Sequence, residues 1–246
     1  MQKAMKFTVY PVHTLLRADQ PPRGAAVVID TLRMTTVAAT AMENGCKALW
    51  AVSTVEEANE LAQSAGALRG GERGAVRIDG FELSNSPLEY TREAVGGRSL
   101  VLTTTNGTQA IASASGAPRL YLGCLRNAGA VARLLRGEED AAIVLAGTGG
   151  RFSLEDALTA GAILERLGAG EEDDMALAAR TLYRQNRTAI HELLSGCAHY
   201  RHLLSLGYGA DLSFCLKEDC ADAVPFRKSG EEAFHACAAD EMEEMK

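Results

Sequence analysis

Short apolar runs alternate along the chain with stretches whose apolar positions recur every three or four residues. Residues 25–30 are a continuous, β-branched apolar run ending in an aspartate, the pattern of a strand buried on both faces. Residues 37–42 then read as a small-residue helix that stops near Gly45. Residues 47–52 predict a second strand, and Ser53 with Glu56 has the capping-box spacing that opens an amphipathic helix through Gln63. The glycine-rich residues 69–74 interrupt this periodicity and lead through irregular sequence to Pro87.

The scheme recurs. Residues 99–103 predict a strand, 104–107 a polar turn, 108–115 a small-residue helix, 119–124 another strand, and 128–136 a helix capped by Asn127. Set one under the other, Gly45, Leu49 and Trp50 fall opposite Gly116, Leu120 and Tyr121, an offset of 71 that slips around the first strands. Either a loose duplication or two βαβα units of similar length accounts for this. A third unit follows, with a strand at 141–146, the loop 147–150 and a helix over 154–167.

Beyond that point the pattern is helical. Acidic residues 171–174 suit the first turn of a helix running to Leu193. A second helix spans 196–206 and stops at Gly207-Tyr-Gly209, residues 212–216 read as a last strand, and the acidic tail after Gly230 reads as frayed. The succession predicts an α/β fold: a mainly parallel sheet flanked by helices, with a helical C-terminal part. The chain divides into an N-terminal lobe, 1–95, and a C-terminal lobe, 96–246, unless both close into one compact domain.

Composition narrows the functional classes. A chain of 246 residues, 47% of them hydrophobic, buries a substantial core. No apolar run approaches the roughly 18–20 residues that cross a bilayer, and the short, mixed stretch after Lys6 does not make a signal peptide. A net charge of −7 argues against nucleic acid as a partner, although arginines placed locally can still hold a small anion. Six cysteines without a CxxC spacing predict reduced thiols, hence a cytoplasmic protein.

In open α/β sheets, ligands sit beyond the carboxyl ends of the strands. Three loops expected there are small and polar: 30–36, 103–108 and 147–156. Helix capping explains each alone. Together, two of them beside an arginine, they point to one anion site, with phosphate the expected ligand. None matches a Walker A loop or a dinucleotide fingerprint. Asp30, at the tip of an apolar strand, can hold Mg²⁺ or attack phosphorus, or else cap a helix or pair with Arg33. Glu72 is a second acidic candidate, and Glu155 and Asp156 open a helix, where about 100° of rotation separates neighbours. Arg33 and Arg73 offer guanidinium forks to phosphate, sulfonate or carboxylate, with Arg126 a third. His199 and His202, at i and i+3, make either a polar helix face with a hydrogen bond across the core or, with Cys197 or Asp211, a metal set. Cys124 reads as a buried thiol.

These loops carry a resemblance. The segments Val27-Val-Ile-Asp-Thr-Leu-Arg-Met-Thr-Thr36, Gly70-Gly-Glu-Arg-Gly74, Gly80-Phe-Glu-Leu-Ser-Asn-Ser-Pro87, Thr104-Thr-Asn-Gly-Thr108, Ala146-Gly-Thr148 and Phe152-Ser-Leu-Glu-Asp156 occur in order. With Glu89-Tyr90, Asn127, Ala160-Gly161, His199, Leu203, Gly207, Asp211, Asp219 and Val224-Pro225, the sequence resembles the 2-phosphosulfolactate phosphatase family from about residue 7 to 227.

The resemblance implies a phosphoric monoester hydrolase that uses Mg²⁺ and converts 2-phospho-3-sulfolactate to 3-sulfolactate and phosphate, a step toward coenzyme M. It carries over Asp30, Arg33, Glu72, Arg73, Asn85, Thr105, Asn106, Glu155 and Asp156 as site positions; the roles expected here are catalysis by Asp30, Arg33, Glu72 and Glu155 and metal binding by Asp30, Glu72 and Asp156. Substrate contacts are expected from Arg73, Asn85, Thr104, Thr105, Asn106, Gly107 and Thr148. On this reading a carboxylate activates the attacking water, with attack by Asp30 itself the variant. The alternatives are a family phosphatase acting on another phospho-acid and a non-catalytic module for small anions. Self-association into a homo-oligomer is open in either case.

Overall fold

A computed structural model describes residues 5–17 and 19–237. Two sheets organise it. The larger contains β1 (Lys6–Tyr10), β2 (Ala25–Ile29), β7 (Arg119–Gly123), β8 (Asp140–Leu145), β9 (Glu171–Glu172), β10 (Val224–Lys228) and β11 (His235–Cys237), in the order β11-β10-β7-β2-β8-β1-β9. Its β7-β2-β8-β1-β9 portion is parallel, while β10 joins β7 and β11 antiparallel. The smaller sheet orders β3 (Ala48–Ala51), β6 (Ser99–Thr103), β4 (Leu68–Arg73) and β5 (Val76–Arg77), and only its β4–β5 hairpin is antiparallel. The expected mainly parallel α/β fold is what forms.

Strand alternation sorts the core into layers. One face of the large sheet, with Val27, Ile29, Ile143 and Leu145, packs on α5 (Ala128–Leu135), α6 (Leu154–Leu167) and α7 (Asp174–Asn186). The other face, with Ala26, Val28, Leu122 and Val144, packs on α1 (Met34–Glu43) and α4 (Gly107–Ser113), and these reach Leu49, Leu100 and Leu102 of the small sheet. Val101 and Trp50 on the far face of that sheet meet α2 (Val55–Ala65).

The helices α1 and α4 therefore lie between the sheets, and each carries the chain from one to the other. Helix α1 leads from β2 in the large sheet to β3 in the small one, and α4 leads from β6 back to β7. Strands from both sides of residue 95 stand in both sheets, and the residues at offset 71, Leu49 and Leu120, occupy different ones.

Several elements differ from the sequence pattern, each for a local reason. Residues 69–74, expected to be irregular, largely form β4. There glycine is required by crowding: a Cβ on Gly70 would lie 2.2 Å from the Tyr90 hydroxyl, and one on Gly71 would lie 2.0 Å from the Thr103 carbonyl. Helix α1 starts three residues early because Thr35 and Thr36 turn their hydroxyls back onto the Asp30 and Thr31 carbonyls at 2.9 Å. The capping box opening α2 is Thr54 with Glu57, not Ser53 with Glu56.

Residues 171–193, expected as one helix, divide into β9, α7 and α8 (Ile190–Ser195). Residues 212–216, expected as a strand, belong largely to α10 (Gly209–Cys215), which follows α9 (Ala198–Ser205). Part of the segment after Gly230 is ordered: Phe234 pairs with Leu49, stitching the C-terminal segment to β3, and β11 follows. Residues 238–246 of the expected frayed tail lie outside the described residues. Among the described residues no helix is long and apolar enough to cross a membrane.

Candidate active site

The two crossover points define a cleft. Asp30 directly follows β2, and Thr105 and Asn106 follow β6. The hairpin between β4 and β5 supplies Glu72, Gly74 and Ala75, and the loop after β8 supplies Thr148 and Gly149. Leu32, Arg33 and Asn85 complete the floor, and α9 lays His199, His202 and Leu203 across the opening. Its volume is about 190 Å³. That is a space on the scale of a small acid.

Asp30 is 8% exposed. Its carboxylate Oδ1 accepts only a long bond from Met34 N–H, at 3.4 Å. Burial pushes its carboxyl from 3.8 up to about 6; the charge of His199 and the Met34 N–H pull back, while Glu72 and Glu155 push further. Gly107 makes room for it, since a Cβ there would stand 2.6 Å from Asp30 Oδ2.

Glu72 is held from two sides, accepting from Ala75 N–H and Thr105 N–H at 2.7 Å each. The amide of Thr105, a residue expected to contact substrate, is thus occupied by a carboxylate. Thr104 lies behind the cleft, its carbonyl accepting from the Thr108 hydroxyl at 2.8 Å. The Asn106 side chain accepts from Gly149 N–H at 3.0 Å and ties two of the loops together.

Arg33 is buried in the cleft floor. It donates to Asp211 of α10 at 2.6 Å and to the Ala75 carbonyl at 3.2 Å, and its guanidinium stacks 3.9 Å from the centre of the Tyr208 ring. Its charge is matched by Asp211, which also accepts from the Ser86 hydroxyl at 2.8 Å. Arg33 is therefore a paired group with donors left over, not the free clamp expected.

Arg73 leaves the cleft altogether. On β4 it has the opposite parity to Glu72, so it points to the α2 side and bonds the Ser53 carbonyl at 3.1 Å and the Thr103 hydroxyl at 2.9 Å. Arg126 likewise faces elsewhere, its guanidinium stacked 3.7 Å from the Phe214 ring.

Asp156, expected as a metal ligand, is a loop anchor. One oxygen accepts from Thr31 N–H at 2.9 Å and the other from Gly147 N–H at 3.0 Å, so both are used. Burial raises its carboxyl well above the ordinary value, and the charges of Glu155 and Asp30 add to this. Its neighbour Glu155 instead accepts from His199 Nδ1 at 2.8 Å, with the Thr148 hydroxyl 3.4 Å from the same nitrogen. Burial opposes charge on both partners; their hydrogen bond and mutual attraction outweigh it, lowering the Glu155 carboxyl and raising the His199 imidazole.

The site thus brings together Asp30, Arg33, Glu72, Asn85, Thr105, Asn106 and Thr148, with Glu155 reaching it through His199. Thr104, Gly107 and Asp156 support the cleft from behind, and Arg73 stands outside. Spacing alone left His199 between a metal set and a core hydrogen bond; its partner Glu155 lies 44 residues away in the chain, and no local pattern joins them.

Among the described residues no group of three or more His, Cys, Asp or Glu has a metal-binding arrangement. A hard cation such as Mg²⁺ commonly takes one or two protein oxygens and fills its shell with water and substrate oxygens. Asn85 bears on this: it is buried and lines the cleft, and among the described residues its Oδ1 has no hydrogen-bond partner. Together with Asp30, this orphaned carbonyl oxygen fits Mg²⁺.

Fold and cleft define an α/β protein with an acidic, loop-built site for a small ligand at the ends of parallel strands. The family model for 2-phosphosulpholactate phosphatase matches residues 10–230. A protein of Caldanaerobacter subterraneus subsp. tengcongensis is 46% identical over 211 residues, covering 83% of this chain and 88% of its own. One of Symbiobacterium thermophilum is 45% identical over 222 residues, 87% of this chain and 95% of its own. One of Clostridium acetobutylicum is 38% identical over 223 residues, 88% and 94% respectively. Each of the three is named a probable 2-phosphosulfolactate phosphatase. The chain belongs to the 2-phosphosulfolactate phosphatase family.

Proposed function

We propose that this chain is a phosphoric monoester hydrolase that cleaves 2-phospho-3-sulfolactate to 3-sulfolactate and phosphate with Mg²⁺ as cofactor, in the cytoplasm. The observation that carries the reading is the meeting of Asp30, Glu72 and the orphaned Asn85 oxygen in one small cleft of a chain with this family membership.

Asp30 and Asn85 are the residues that would hold the ion, with Glu72 beside them. Bound there, Mg²⁺ supplies charge neutralisation at the phosphoryl oxygens. The remaining work falls to the side chains. Asp30, buried at the strand tip and lining the cleft, is the carboxylate placed to accept a proton from the attacking water. Its second oxygen leaves it free to hold the cation as well. Arg33, Thr148 and Asn106 line the space where substrate oxygens would lie, and Arg33 retains N–H donors beyond those given to Asp211 and Ala75.

The test is phosphate release across a panel of phosphorylated hydroxy and sulfo acids, with Mg²⁺ and with chelator. Release confined to 2-phosphosulfolactate and dependent on Mg²⁺ is expected. Release from a different phospho-acid alone would move the substrate assignment. Binding without release from any ester would make the chain an anion-binding module.

A further inference from the structure

The leaving group of a phosphate ester of this kind is an alkoxide, a strong base that departs readily only when it is given a proton. We propose that His199, oriented by Glu155, donates that proton from Nε2 to the ester oxygen; this rests on the phosphatase reading above.

Four observations support the assignment. His199 lines the cleft, with its side chain about one-fifth exposed there. Its Nδ1 is taken by Glu155 Oε1 at 2.8 Å, so Nε2 is the nitrogen left for the cleft. An imidazole held this way by a buried carboxylate keeps one ring orientation and favours the protonated form. The dyad is also anchored to the Asp30 loop: the Thr31 hydroxyl contacts the Thr159 hydroxyl at 2.7 Å, and the latter bonds the Glu155 carbonyl at 3.1 Å.

Finally, the other cationic groups of the cleft are poor donors. A guanidinium such as Arg33 does not release its proton. His202 is exposed at the mouth, and among the described residues no carboxylate is bonded to it. Glu155 is a positioning residue in this account, acting through the ring.

In the step itself, the oxygen of water bonds to phosphorus while the bond from phosphorus to the ester oxygen breaks. The ester oxygen leaves with the electron pair and takes the Nε2 proton. The proton shed by the water passes to Asp30 and returns through solvent to His199. The sum is ester plus water giving alcohol plus phosphate.

The test is the kinetic isotope effect of ¹⁸O at the bridging ester oxygen, measured for phosphate release from 2-phosphosulfolactate by wild type, His199→Gln and Glu155→Gln. Each protein is first checked for a cooperative melt. In the wild type, protonation offsets bond cleavage at that oxygen and the effect is small. In His199→Gln the rate falls by about 10²–10⁴-fold, the range for losing a general acid, and the isotope effect grows because the oxygen leaves unprotonated. Glu155→Gln lies between.

A slow His199→Gln with the wild-type isotope effect means a structural histidine and overturns the proposal, as does an undiminished rate. If His199→Gln does not fold, the isotope effect of Glu155→Gln decides alone. No release by the wild type fails the phosphatase reading itself and this one with it; release with unchanged isotope effects fails only the proton delivery.

Discussion

Asparagine at position 30 should stabilise the protein at neutral pH while removing its turnover. The Asp30 carboxyl is buried, and its ordinary value of 3.8 rises to about 6, chiefly through desolvation. A group harder to ionise in the folded chain than in the unfolded one opposes folding once it is charged. Between pH 3.8 and about 6 the unfolded chain gives up the proton first, so stability falls as pH rises across this window. Above it the deficit is complete; below it there is none. At about 1.4 kcal/mol for each tenfold in proton affinity, the full deficit is about 3 kcal/mol.

Asparagine keeps the shape and can still accept the Met34 N–H, with its amide nitrogen left to cleft water. The expected gain is about 2–3 kcal/mol. That corresponds to roughly 4–12 °C in Tm at the 2–4 °C per kcal/mol of proteins this size. Urea or thermal unfolding of both proteins in chelator, at pH 7.5 and at pH 4, measures it. The gap should be open at pH 7.5 and nearly closed at pH 4. A less stable variant at pH 7.5, or a gap that ignores pH, would refute the reasoning. Added Mg²⁺ should raise the Tm of the wild type and leave that of Asp30→Asn nearly unmoved.

Breaking the Arg33–Asp211 pair with Arg33→Met should cost about 3–5 kcal/mol in urea unfolding, because Asp211 would be left as an unmatched buried charge. The double change with Asp211→Leu should recover most of it. Gly107→Ala places a methyl group 2.6 Å from Asp30 Oδ2 and 2.8 Å from Met34 Cβ. Turnover should fall at least about tenfold through displacement of Asp30, visible as a loss in kcat by a folded variant. The His199 ring should titrate above 6.5 by NMR and fall back in Glu155→Gln. The stabilisation it brings is complete below the unfolded value and is lost as pH rises through the folded one.

Much of the architecture is legible in local pattern. The buried run ending at Asp30, the strand before Thr104 and the helix over 154–167 are strong periodic signals whose tertiary surroundings agree with them. The failures have tertiary causes. Residues 69–74 look like a loop because glycine is a poor strand former, yet those glycines are what let β4 lie against Tyr90 and β6. The switching of α1 and α4 between two sheets leaves no mark on periodicity, since each unit is locally an ordinary βα pair.

At the site, chain position marks Asp30 because a strand tip is a special place. It cannot mark Asn85, which sits in irregular sequence; the resemblance places it among the substrate contacts, and its unpartnered oxygen suggests a metal instead. Arg73 shows the cost of reading a motif without a period. Next to Glu72 in a loop both could face a ligand, but in a strand only one of them can.

Charge balance in the cleft ties these findings together. Its two strongest cationic groups are already matched: Arg33 lies against Asp211, and His199 against Glu155. Among the described residues Asp30 has no ion-pair partner, and Glu72 is held by backbone N–H groups alone. The formal charge on the walls is therefore negative, and an ester bearing phosphate, carboxylate and sulfonate would be repelled by them. A cation taken up by Asp30 and the Asn85 oxygen would reverse that sign locally. The proposed dependence on a divalent ion rests on this pairing of the arginine and the histidine. Had either been free, the cleft could hold a phosphate dianion unaided.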